Sequence, residues 1–404
     1  RNAAARKALD PAKLQLLLEH IGRLLPAENE RQAFYDCSQT PPPASLRINP
    51  LQAQSHSLLP HLHRLGHTVP WCSDAFVFPE SEKGLGQMLE HAMGAYYIQA
   101  MAPTLAVEVL APRPGERVLD LCAAPGGKTT QIAARMQNSG LLIANEIQQK
   151  RIPALVGNLE RCGVINYVLT QAPGAMLARY FHNFFDRILV DAPCSGDGIV
   201  RKDQNMLNYW SPQDAERLSQ QQTGLLRAAY HMLRPGGTLV YSTCSLSLEE
   251  NERVILGLLR RFDAEVEIRS IDGVEYPPLP ADLAAQFPDE FSRCARIWPH
   301  RYNTEGAFIA HLSKRAPTIN PYPEADAATW ATETVHDPMA TAARRAIEAR
   351  WQGQLPCPPG QAFTLSHRHL CLQPALGPVL QRQLPSFVRA GMRVARRHKD
   401  YHYL

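Results

Sequence analysis

Two cysteines and the residues around them are the first to suggest chemistry. FDRILVDAPCSGDG places Asp191 and Cys194 directly after one apolar run, and RPGGTLVYSTCSLSLEENE places Cys244 directly after another. A buried cysteine is ordinarily inert packing. These two instead stand in polar turns, PCSG and TCS, at the exits of candidate strands. Consecutive parallel strands are often neighbours, so both thiols are expected to overhang one crevice at the carboxyl end of a sheet, where such sheets bind ligands. A thiolate is a soft, strong nucleophile whose reactivity depends on a lowered pKa, and it suits addition to a conjugated ring. The other cysteines, Cys37, Cys72, Cys122, Cys162, Cys294, Cys357 and Cys371, are scattered and form no CxxC pair. That argues against a disulfide framework and a zinc site, so the thiols are expected to be reduced, the chain cytoplasmic and the protein free of metal.

A cofactor loop is expected at DLCAAPGGKTT, Asp120 to Thr130, which follows a strand and opens a helix. Its glycines let the backbone approach a ligand, and a helix start offers unpaired N–H groups. The run is not GxGxxG, and although GKT ends a P-loop, the leading glycine of that motif is replaced by Cys122. Cys122, Ala123, Ala124, Pro125, Gly126, Gly127 and Lys128 are therefore candidate walls of a nucleoside-type pocket. Glu146 stands twenty residues beyond Gly126 at the end of the next apolar run. A doubly wound nucleotide fold places there the acid that accepts from ribose hydroxyls, and the bland alternative is a cap on the following helix. Arg151 is read either beside the cofactor or on a helix surface.

These residues need a frame. The chain has 404 residues, of which 45% are hydrophobic and 20% charged, and carries a formal net charge of +4. That length suggests two or three domains. No apolar run approaches the 18 or more residues of a spanning helix, which argues against membrane insertion. From Gly115, apolar runs at Val118 to Leu121, Leu141 to Asn145, Tyr167 to Thr170, Arg187 to Val190 and Thr238 to Tyr241 alternate with helical stretches at Lys128 to Met136, Gln148 to Cys162, Pro212 to Leu233 and Leu248 to Phe262. The pattern predicts an α/β, mostly parallel, doubly wound sheet. Before it, Asp10 and Pro11 read as the start of a helix that carries Leu14, Leu17, Leu18 and Ile21, and a small α+β module spans Pro41 to Gln99. Arg47 and Asn49 are read there as solvated residues or nucleic-acid contacts. A linker rich in Pro, Ala and Thr follows Leu312, and the tail clusters Arg389, Arg393, Arg396, Arg397, His398 and Lys399. Such a cluster suits phosphate contacts or a solvated face. The division is residues 1–105, an N-terminal helical and α+β module; 106–314, the doubly wound domain; 315–340, the linker; and 341–404, a C-terminal unit. Arg1 is not an initiator methionine, so the chain is expected to be trimmed.

CAAPGGKTT, DAPCSGDG and STCSLSLEENE together resemble the RNA cytosine-C5 methyltransferases of the Nop/Sun family. WCSDAFVF from Trp71, YYIQAMAP from Tyr96 and RIWPHRYNTEGAFIAHL from Arg296 extend the resemblance from about Arg47 to Leu312, and within the family it is strongest to bacterial enzymes acting on 16S ribosomal RNA. The resemblance implies a Rossmann-like fold binding S-adenosyl-L-methionine on Cys122 to Lys128, with Glu146 on the ribose and Asp191 near cofactor and base. It implies Cys244 as the nucleophile on carbon 6 of cytosine, Asp191 or a partner it holds as general acid toward the ring nitrogen, and Cys194 as an aid to product release. It also implies an RNA-binding N-terminal module, a C-terminal unit that begins a PUA-like domain, and 16S rRNA or the 30S subunit as partner to a monomer. DNA cytosine methyltransferases use the cysteine of the PC motif and carry ENV, absent here, so RNA is favoured. The acid that usually holds the adenine amino group is missing, since the chain reads LTQAPG from Leu169, with Gln171 and Pro173 near the expected place. Arg201, Lys202, Arg296 and His300 are read as RNA contacts or exposed charges. The rival readings are a non-catalytic ribosome-assembly factor, which would not need both thiols, and transfer RNA as substrate. A protein or small-molecule methyltransferase is expected to carry an NPPY-like loop where DAPC stands.

Overall fold

Leu14, Leu17, Leu18 and Ile21 recur at helical spacing and form the buried face of helix α1 (Pro11–Ile21). The computed structural model describes residues 11–52, 55–78, 84–262, 266–270, 274, 279, 281–285, 293–319, 337–351, 354, 357, 360–366 and 369–396. Asp10 lies outside them. A second helix, α2 (Glu28–Ser38), has a sparser apolar face and was not anticipated; its buried Phe34 packs edge-on against Trp298. Strands β1 (Ala44–Ile48), β2 (His67–Val69), β3 (Cys72–Phe78) and β4 (Tyr96–Ile98) form an antiparallel sheet in the order β2-β3-β1-β4. Helix α3 (Ser55–Leu65) and Leu46, Ile48, Phe76, Phe78 and Tyr96 close its core. Helix α4 (Met101–Leu110) leads into the larger sheet.

That sheet holds β5 (Arg117–Asp120), β6 (Leu141–Asn145), β7 (Tyr167–Thr170), β8 (Phe185–Asp191) and β9 (Leu233–Thr243), all parallel, in the spatial order β9-β8-β5-β6-β7. Successive residues of a strand point to opposite faces. Leu119, Ile143, Val168, Ile188 and Leu239 accordingly join one core, while their neighbours Val118, Leu142, Leu169, Leu189 and Val240 join the other. Burial on both faces is why these strands read as continuous apolar runs. The crossovers are α5 (Gly127–Arg135), α6 (Ile152–Arg161), α7 (Gly174–Tyr180) and α8 (Pro212–Met232), followed by α9 (Glu252–Leu259). Ser211 caps α8 by accepting from the Asp214 N–H at 3.2 Å, with Pro212 in its first turn.

The sheet is not purely parallel, however. Past α9, strands β10 (Val266–Arg269), β11 (Ala295–Ile297) and β12 (Ala307–Lys314) join antiparallel, with β12 against β9. At the opposite edge the C-terminal unit adds a further antiparallel strand. That unit comprises α10 (Pro338–Trp351), β13 (Gln361–Ser366), β14 (His369–Pro374), α11 (Gly377–Gln383), β15 (Phe387–Ala390) and β16 (Met392–Arg396). Strands β13, β14 and β16 form their own sheet, whereas β15 pairs with β7, Ala390 opposite Val168, and so covers an edge that would otherwise stand open. Residues 320–336 of the expected linker are not described, and α10 begins within its last residues.

Candidate active site

The chain leaves β5 on one side and returns to β8 on the other, so the sheet reverses its strand order between them. A crevice opens there beyond the strand ends. Into it come the loop after β5, the turn after β8 and the turn after β9. Three backbone links set their relative height: Leu121 N–H donates to Leu189 O at 3.0 Å, Ala192 N–H to Ser242 O at 2.9 Å, and Ala123 N–H to Asn145 O at 2.8 Å. The Asn145 side chain adds bonds to Leu121 O, Ala172 and Thr170 Oγ1, which pin the ends of β5, β6 and β7 together.

Cys194 and Cys244 meet in this crevice, their sulfur atoms 2.7 Å apart and both cysteines free. The Cys244 N–H also points at Cys194 Sγ, at 3.2 Å. The hydrogen bond to Cys244, and then burial, push the Cys194 thiol well up, so it carries its proton. Asp191 stands at the end of β8, with Lys128 Nζ on its Oδ2 at 2.6 Å and the Ser242 hydroxyl on its Oδ1 at 2.8 Å. Burial alone would lower the Lys128 pKa. The charge of Asp191 and the hydrogen bond to it outweigh that and hold the ammonium above its ordinary value. Lys128, Asp191, Cys194 and Cys244 line one cavity of about 150 Å³.

Two glycines bring Cys244 close to its neighbours. Gly198 N–H donates to Cys244 O at 2.9 Å and Gly306 N–H to Gly198 O at 2.7 Å. A Cβ on Gly198 would stand 2.6 Å from Cys244 O, and one on Gly306 would stand 2.8 Å from Gly198 Cα. Beneath the Cys194 turn, Glu250 accepts from Ser195 N at 2.9 Å and Gln222 Nε2 at 2.8 Å. Asp197, pushed up to about 7 by burial, accepts from Leu246 N at 2.7 Å. The sequence reading missed this buried acid layer, whose only written signal was the polar run SLSLEEN.

The loop from Cys122 to Lys128 surrounds the start of α5, whose first-turn amides lack helical partners. Ala123 and Ala124 are buried, Pro125 is exposed, and burial pushes the Cys122 thiol well up. Gly126 has φ +110°, which only glycine adopts freely. A Cβ there would meet Leu155 at 3.2 Å, and one on Gly127 would meet Tyr97 at 3.3 Å. These glycines serve the loop's own turn and its packing. Glu146, buried at the end of β6, accepts from Gln148 N at 2.8 Å and Ala124 N at 3.3 Å and pairs with Arg151 at 3.3 Å. It thus ties the loop to the approach of α6, and Arg151 also donates to Ala124 O of that loop.

Several expected RNA contacts are interior struts. Arg47 is 2% exposed and binds Gln99 Oε1, Gly127 O and Thr130 Oγ1, clamping the N-terminal sheet to the start of α5. Asn49, also buried, donates to Gly94 O and Cys162 O. Arg201 reaches Thr40 O, Pro41 O and Thr304 O. Arg296 is buried against Glu252 at 2.7 Å, and His300 meets Glu30 at 2.9 Å. Lys202 is exposed. In the basic tail Arg389 is engaged by Glu160 at 2.8 Å and Arg393 is exposed, while Arg397, His398 and Lys399 lie outside the described residues. Gln171 donates to Ile147 O and, through its backbone, to Ser386 O; Pro173 is exposed just before α7. Among the described residues there is no cluster fit to hold a metal ion, and no helix long and apolar enough to cross a membrane.

Comparison with known proteins agrees with this geometry. Residues 107–313 match the family described as 16S rRNA methyltransferase RsmB/F, and residues 15–101 match the N-terminal domain of 16S rRNA methyltransferase RsmF. Ribosomal RNA small subunit methyltransferase F of Erwinia tasmaniensis is 38% identical over 317 residues, 76% of this chain and 64% of that one. Its counterpart in Escherichia coli is 36% identical over 357 residues, 84% of this chain and 72% of that one. The chain spans about 64% of the length of the first curated relatives it matches. Among solved structures, a methyltransferase homolog protein from Pyrococcus horikoshii superimposes with a TM-score of 0.65 at 30% identity, covering 76% of this chain and 100% of that one. With more than half its length inside the family model and a relative 36% identical that it covers to 72%, this chain belongs to the RsmB/F family of 16S rRNA methyltransferases.

Proposed function

We propose that this chain transfers a methyl group from S-adenosyl-L-methionine to carbon 5 of a cytosine in 16S ribosomal RNA, through a covalent bond from Cys244 to carbon 6. The observation that carries the reading is the contact of two free thiols on adjoining strand ends, in one cavity with the Lys128–Asp191 pair. Carbon 5 of cytosine is too electron-poor to attack a methyl donor. When the Cys244 thiolate bonds to carbon 6, the ring's 5,6 electrons move toward nitrogen 3, which takes a proton from water, and the charged Lys128–Asp191 pair steadies the developing charge. Carbon 5, now enamine-like, takes the methyl group. Loss of the carbon 5 proton to water restores the double bond, the Cys244–carbon 6 bond breaks to return the thiolate, and nitrogen 3 gives its proton back to water. Cys194, beside the leaving sulfur, aids that release.

The residues present fit the cofactor. A buried carboxylate at the end of β6 and unpaired amides at the start of α5 supply the acceptor and donors a nucleoside amino acid needs. Glu146 would face the ribose, Cys122 to Lys128 the remainder, and the bound group would supply an electrophilic methyl. The expected adenine acid has no counterpart, which leaves that contact to Gln171 or to main-chain carbonyls. The finer parts of the reading are an RNA-binding N-terminal module and a PUA-like character for residues 341–404, the latter supported by the small antiparallel sheet of β13, β14 and β16. A flipped target base is easiest to obtain from a loop or a partly assembled subunit. The test is transfer of labelled methyl to unmodified 16S rRNA and 30S particles, followed by digestion to nucleosides. Label in 5-methylcytidine supports the reading, and label in any other nucleoside contradicts it.

A further inference from the structure

One carboxylate in the thiol cavity is left unused by this chemistry. Glu305 is 3% exposed and lines the cavity with Lys128, Asp191, Cys194 and Cys244. The same residue borders an adjoining groove of about 260 Å³ beside Ser45, Gln99 and Lys202. Its backbone position is set by the two bonds that run from Cys244 O through Gly198 to Gly306, the residue after it. Both glycines are barred from carrying a Cβ, so the distance from Glu305 to the nucleophile is fixed by main chain rather than by packing alone.

The other acids of the site are answered: Asp191 by Lys128 and Ser242, Glu250 by Ser195 and Gln222, and Asp197 by Leu246 N and Ser245. Among the described residues the Glu305 carboxylate has no hydrogen bond and one ion pair, 3.5 Å to Lys202, whose own side chain is 62% exposed. A pair of that length to so exposed an ammonium contributes little, so the carboxylate keeps acceptor capacity. The residue is therefore built to receive a donor from whatever fills the cavity. Cytosine presents one that uracil lacks, the exocyclic amine on carbon 4, where uracil has a carbonyl that would face the carboxylate acceptor to acceptor.

Building on the cytosine-C5 reading, we propose that Glu305 selects the target base by accepting from the exocyclic amine of cytosine. A site that hydrogen-bonds a substrate group rejects the analogue lacking it far more strongly than a merely apolar pocket does. The experiment compares wild type with Glu305→Gln on 16S rRNA carrying cytosine or uracil at the labelled position. An amide can accept from the amine or donate to the carbonyl, so Glu305→Gln is expected to lower the cytosine-to-uracil ratio of kcat/KM by at least about 100-fold. S-adenosyl-L-methionine affinity should stay within about twofold and the melting temperature should be retained. A ratio that stays at the wild-type value, or a loss of cofactor binding together with transfer, overturns the proposal and makes Glu305 structural. If the wild-type chain labels no cytosine at all, the cytosine-C5 reading itself has failed, and Glu305 falls with it.

Discussion

Lys128 is the residue to which the structure adds most. Its place in CAAPGGKTT made it a wall of the cofactor pocket, yet its ammonium bonds to Asp191 at 2.6 Å and faces the two thiols. In the proposed reaction the raised pKa matters, because an ammonium that keeps its proton would serve as a permanent positive donor and steady charge at the ring nitrogen. Lys128→Met is therefore expected to slow single-turnover methyl transfer by roughly 10²- to 10³-fold, with S-adenosyl-L-methionine affinity, measured by calorimetry, changed by less than tenfold. An unaltered rate would remove Lys128 from the chemistry. Cys194, Cys244 and Asp191 were legible because each directly follows an apolar run, and strand exits can be read from pattern. Glu305 and Glu250 were not, since nothing local in TEGAF or LEENE says that those acids turn inward.

At the scale of elements, the parallel strands were readable because burial on both faces leaves an uninterrupted apolar run, and β6 and β7 fall where those runs lie. The antiparallel strands β10 to β12 and helix α2 carry weaker patterns and are placed by partners far away in the chain. Arg47 shows the same limit. Its charge suggested solvent or phosphate, but the guanidinium spans from β1 to the first turn of α5 and so holds the loop before that helix from the N-terminal sheet. Arg47→Ala leaves buried acceptors unanswered, and a loss of about 1–3 kcal/mol of stability is expected. Cofactor affinity should weaken at temperatures where the variant is still folded. Arg47→Lys should rescue little, because a single ammonium cannot reproduce the planar fork. Calorimetric melting and cofactor titration of both variants check this, and wild-type affinity in Arg47→Ala would separate the N-terminal sheet from the loop.

Across the whole molecule, one sheet gathers segments from distant parts of the chain. The central parallel strands hold the crevice, β12 brings Glu305 and Gly306 to it, the N-terminal sheet braces its loop, and β15 covers the far edge at β7. That last pairing could not be read from FVRA, a four-residue stretch broken by Arg389 whose strand state depends on finding an unpaired edge. The basic tail illustrates the same point, for Arg389 is taken up by Glu160 while Arg393 stays exposed. Alternation of strands and helices thus announced the doubly wound centre, and long-range pairing supplied its antiparallel margins.

The central claim, covalent catalysis by Cys244 with Cys194 aiding release, is tested most directly by mixing wild type, Cys244→Ala and Cys194→Ala with labelled S-adenosyl-L-methionine and unmodified 16S rRNA or 30S particles, then denaturing and looking for a protein–RNA adduct. The account predicts no transfer and no adduct for Cys244→Ala, and an accumulating, denaturant-stable adduct for Cys194→Ala. Methyl transfer that survives Cys244→Ala, or an adduct formed through Cys194 instead, would contradict it.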